Sequence, residues 1–84
     1  MKFANMVLAQ QLPVDIEQAD QIFEQYASSI AEALKEAEFL PTFIMNDRKM
    51  EVGCPAPYLA EALAAVQTLG FELEHIYFEA ALTS

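Results

Sequence analysis

Between Asp15 and Pro41 the apolar residues Ile16, Ala19, Phe23, Tyr26, Ile30, Ala33 and Ala37 recur in steps of three and four. No other feature constrains the fold as strongly, because that spacing draws one continuous stripe on an α-helix. Asp15 is placed to cap it, and Gln18, three residues on, completes a capping-box pattern. Pro41 ends the helix at or before Leu40, since a residue preceding proline disfavours the helical region. The expected helix is about 24 residues long, roughly 36 Å at 1.5 Å per residue. With 84 residues and 9.4 kDa there is room for one domain, spanning 1–84, in which to bury its stripe.

The segments on either side read mostly as strands. From Lys2 to Gln11, Phe3, Val7 and Ala9 alternate with Ala4, Met6 and Leu8. Both faces are largely apolar, which predicts a central strand covered on two sides, stopped by Pro13. Thr42 to Asn46 is rich in β-formers, Asn46 to Lys49 form a polar turn, and Met50 to Gly53 return as a strand. Pro55 and Pro57 then fix the entry to a second helix with Leu59, Leu63, Val66 and Leu69 as its stripe. Gly70 fits the C′ position that closes this helix, with Phe71 packing back. Phe71 to Leu82 starts as alternating Phe-Glu-Leu-Glu and becomes continuously apolar at Ile76-Tyr77-Phe78. We read it as a strand with a bulge at the change; a helix from Glu72 onward is the alternative. The order β-α-β-β-α-β predicts an α+β, ferredoxin-like arrangement, a four-stranded antiparallel sheet with two helices on one face.

Composition sharpens this. Thirteen Asp and Glu stand against four Lys and Arg, a formal net charge of −9, yet 55% of residues are hydrophobic. Disordered acidic tails pair high charge with low hydrophobicity, so the chain is not one of them. The sign also argues against direct binding to nucleic acid, which needs clustered Lys and Arg. No apolar stretch reaches the roughly 18 residues of a membrane span, and no signal-peptide pattern is visible. One cysteine, Cys54, fits a reducing compartment and a cytoplasmic location. A domain this small buries only about 60–65% of its unfolded surface, so part of the apolar surplus should stay outside a single-chain core. If both helices cover one sheet face, the other face should carry that surplus, which predicts a homodimer with an acidic exterior.

Three groups of residues are candidates for chemistry or contact. Cys54 lies between an expected strand and helix, where a helix N-terminus would favour the thiolate. The string Cys54-Pro55-Ala56-Pro57, followed by Tyr58-Leu59 and an Ala- and Leu-rich helix, resembles the Cys-Pro-x-Pro motif of TusA-like sulfur carriers. That resemblance implies a persulfide-carrying Cys54, and hence a sulfur-transfer or thiol-redox protein. The competing reading is a half-buried residue whose neighbouring prolines set a helix start. His75 and Tyr77, with Glu79, share an alternating strand face and are the candidates for a small-ligand pocket at a dimer sheet interface; the same face reads as core. Glu17, Asp20 and Glu24 form a carboxylate row on the first helix that would contact a basic protein partner, or simply keep the chain soluble. A single histidine and the absence of ligand spacing predict no metal, and no motif points to a cofactor or catalytic constellation. The leading expectation is a small acidic binding protein acting as a homodimer.

Overall fold

A computed structural model describes residues 2–80. Its elements are β1 (Lys2–Gln11), α1 (Ile16–Ala33), β2 (Thr42–Asn46), β3 (Lys49–Pro55), a 3₁₀ turn (Ala56–Tyr58), α2 (Leu59–Thr68) and β4 (Leu73–Ala80). The fold is α+β, with one antiparallel four-stranded sheet in the order β2-β3-β1-β4 and two helices. The last segment is thus a strand; the end of the expected run, residues 81–82, lies outside the described residues.

The core follows from the pleat. Ala4, Met6 and Leu8 of β1 and Met50, Val52 and Cys54 of β3 point to one side of the sheet. There they meet Ile30 and Leu34 from the α1 segment and Ala62 and Val66 of α2, all buried. Tyr26 and Phe71 close the margin edge to face, with ring centroids 4.9 Å apart.

Several local expectations need correction. The first helix stops at Ala33 rather than near Leu40. The Leu34 N–H is shared between the Ile30 and Ala31 carbonyls, and Ala37 bonds back to Leu34 in a tight turn. The cause is Phe39. In an unbroken helix it would lie about 140° round from Leu34, off the buried stripe. Ending the helix lets Phe39 enter the core and stack on Tyr58, with centroids 5.0 Å apart. The capping box is half formed: the Asp15 carboxylate accepts from the Gln18 N–H at 3.1 Å, and no reciprocal bond from the Gln18 side chain is present among the described residues. β3 runs on to Pro55, past the expected end at Gly53, so Cys54 belongs to the strand. The polar turn narrows to Asp47 and Arg48, both left-handed (φ 53° and 61°). That is the type I′ geometry that suits a two-residue hairpin. The bulge in β4 sits beside Glu74, where the register against β1 jumps from Leu8–Leu73 to Val7–His75.

The second side of the sheet departs most from expectation. It is not an apolar surplus. Cross-strand rows there read Thr42–Gly53–Asn5–Tyr77 and Ile44–Glu51–Val7–His75, with Asn46 beside Lys49. Ile44 and Tyr77 are the large exposed apolar side chains in those rows; the others include Val14, Ile16 and Leu40 in the connections and at the helix start, and Phe78 on β4.

Candidate functional site

This polar side of the sheet holds a groove of about 270 Å³, lined by Val7, Asn46, Asp47, Lys49, Glu51, Glu74, His75 and Tyr77. Its floor is set by β3 and β1. Glu51 faces the groove because strand alternation puts Met50 and Val52 into the core. Its side chain is nonetheless only 5% exposed, since its neighbours close over it. Both carboxylate oxygens accept hydrogen bonds, Oε1 from the Tyr77 hydroxyl and Oε2 from the Asn46 amide at 3.1 Å.

The hydrogen bond to Glu51 pushes the Tyr77 phenol up to about 12, with burial and the charges of Glu51 and Glu79 adding to the effect. Ionising the phenol would place a second negative charge against the carboxylate. Below this pair, Asn5 is 3% exposed and donates to Glu79 Oε1 at 3.0 Å. At the rim, Lys49 bonds Glu74, and His75 Nδ1 lies 3.2 Å from the other Glu74 oxygen. The Lys49 bond is the main reason the Glu74 carboxyl is held below its ordinary range.

Gly53 makes this crowding feasible. A Cβ there would sit 2.3 Å from Thr42 Oγ1 and 3.0 Å from Asn5 Oδ1. The row therefore closes only because that position has no side chain.

The residues singled out from sequence fall in three places. His75 and Tyr77 line the groove, and Glu79 lies one row away, bonded to Asn5. Glu17, Asp20 and Glu24 are exposed along α1, remote from the groove lining. A shallow hollow of about 510 Å³ runs along that helix between Gln21, Glu24, Gln25, Ser28 and Ser29, with one charged side chain in its lining. Cys54 is in neither place. Its thiol is fully buried in the core and burial pushes its pKa up, opposite to the shift a thiolate nucleophile needs. Sequence reasoning missed Asn5, Asn46, Lys49, Glu51 and Glu74. Asn5 inside an apolar strand and Glu51 between Met50 and Val52 were the available signals.

Among the described residues no three His, Cys, Asp or Glu side chains cluster so as to hold a metal ion, and no helix is long and apolar enough to cross a membrane. No protein-family model matches the chain, and no curated protein matches it either.

Proposed function

We propose that the protein is a small acidic binding module on a ferredoxin-like frame, with both helices on one face and a site for a small cationic ligand on the other. The frame is supported by β1 and β3 at the centre of the sheet and by core residues supplied from both helices to one side. The free thiol of Cys54 supports a cytoplasmic location.

The ligand reading is carried by Glu51. A nearly buried carboxylate is costly unless paired, yet its hydrogen-bond partners, Tyr77 and Asn46, are neutral. Asp47 and Glu74 add negative charge to the groove, while its one ammonium, Lys49, is engaged by Glu74. An ammonium or guanidinium over the Tyr77 oxygen would complete the charge balance, and the field of a chain at −9 would draw it in.

Calorimetry with agmatine and putrescine, set against 1,4-butanediol and glutarate, tests this. The two cations should bind and the diol and diacid should not. Glu51→Gln should weaken agmatine about tenfold, near 1.4 kcal/mol. Equal binding of diol and diamine, or an unchanged affinity in Glu51→Gln, would overturn the reading.

A second reading is favoured by the state of the four cations. Lys35 pairs with Glu32, Lys49 with Glu74, Arg48 donates to the Leu12 carbonyl, and Lys2 is exposed at the start of β1. Glu17, Asp20 and Glu24 have no ion-pair partner among the described residues. That row is where a basic protein partner would dock, through a contact weakened by salt.

A further inference from the structure

We infer that the free edge of β4 pairs antiparallel with β4 of a second copy of this chain, with Tyr77 on the two-fold axis. β4 is an edge strand of the sheet, eight residues long and without proline, so among the described residues one row of its backbone groups is open to a partner strand. Phe78 is 55% exposed there although its neighbours along the row belong to the core side.

Symmetry narrows the register. A two-fold axis normal to the sheet keeps side chains on matching sides only if it passes through a residue, not between two. An axis on Ile76 would set Glu74 opposite Phe78 and Leu73 opposite Glu79, placing carboxylates against apolar side chains. An axis on Phe78 would set Tyr77 opposite Glu79 and leave His75 beyond the paired run. An axis on Tyr77 sets His75 opposite Glu79 twice and Ile76 opposite Phe78 twice. On the groove side an imidazole meets a carboxylate that can accept a hydrogen bond from it, and on the core side apolar meets apolar. Beyond the bulge at Glu74 the ladder is regular from His75 to Ala80, and the residues this register opposes, His75 to Glu79, all lie on it. The Tyr77 ring leans back toward Glu51 on β3, which leaves the axis clear. The product is a continuous eight-stranded sheet with two grooves side by side. The pairing rests on the edge and not on what the grooves bind.

Cross-linking tests it directly. Opposed residues in such a pair have Cα atoms about 4.5–5.5 Å apart, within the span of a disulfide. Tyr77→Cys should give a covalent dimer under mild oxidation, while Ile44→Cys on the other edge strand should not; Cys54 is buried and stays out of the reaction. In sedimentation equilibrium the native chain should be a dimer at about 100 µM, a concentration at which any interface with a micromolar Kd is filled. Glu79→Lys should weaken the dimer at least tenfold. Because Glu79 also accepts from Asn5, that variant is read beside the exchanged pair His75→Glu with Glu79→Lys, which should restore association. A monomeric native chain at that concentration overturns the inference, as does a dimer that cross-links through Ile44→Cys and not through Tyr77→Cys.

Discussion

At the scale of single residues, the polar side of the sheet is organised by one hydrogen bond, from Tyr77 to Glu51. The phenol is pushed up to about 12 chiefly because ionisation would break its hydrogen bond to Glu51, with burial and the nearby carboxylate charges adding to the effect. The sign of the linkage follows. A group whose pKa is raised on folding contributes stability below its unfolded value, about 10 for tyrosine, and loses it as pH rises through the folded value. The contribution of this contact should therefore be intact at neutral pH and vanish between about pH 10 and 12. Ultraviolet titration of the native chain against Tyr77→Phe isolates this phenol from Tyr26 and Tyr58. Its midpoint should lie near 12 and fall toward 10 in Glu51→Gln, where the acceptor keeps its shape but loses its charge. A midpoint near 10 in the native chain would show that the contact is not formed in solution.

At the scale of elements, the strands and their order of appearance are legible because their periodicities are clean. β1 falls at the boundaries its alternation implies, and β2 at those of its run of β-formers. Gly70, at φ +91°, closes α2 as its position suggests, with Gly70 N–H bonded to Gln67 and Phe71 N–H to Val66. The end of α1 was not legible, because it depends on where Phe39 finds a partner, and Tyr58 lies far along the chain. The groove was half legible. Alternation groups His75 with Tyr77, but Glu51 joins them only through the β3–β1–β4 register, which no local pattern encodes. Thr42, Gly53 and Asn5 show the same dependence. Gly53→Ala should destabilise the domain by about 1–2 kcal/mol through overpacking. Thr42→Ala removes the nearer obstacle, so in the double variant part of that loss should be recovered. Denaturant melts of the four chains give the coupling energy; strict additivity would mean that positions 42 and 53 do not crowd each other.

At the scale of the molecule, charge and hydrophobicity are sorted differently from what an apolar second face would have required. The core takes the apolar stripes of both helices and one side of the sheet, and carboxylates spread over α1, its C-terminal turn and β4. With −9 on 84 residues, compaction brings like charges together, and that repulsion opposes folding. Two opposing effects respond to added salt. Screening relieves the repulsion, since the Debye length shrinks from about 30 Å at 0.01 M to about 3 Å at 1 M. It also weakens the Lys35–Glu32 and Lys49–Glu74 pairs, but exposed pairs contribute only about 0–1 kcal/mol each. Repulsion among many unpaired carboxylates should win. The melting temperature at fixed protein concentration should therefore rise between 20 mM and 500 mM NaCl, by about 4–8 °C for each kcal/mol relieved. Chloride is the appropriate anion, because sulfate would strengthen apolar burial as well. Neutralising Glu17, Asp20 and Glu24 together as Gln, Asn and Gln should raise the low-salt melting temperature and flatten the salt dependence. If salt instead lowers the melting temperature, the two ion pairs outweigh the repulsion. The acidic row on α1 would then cost the fold nothing, and its retention would need no partner to account for it.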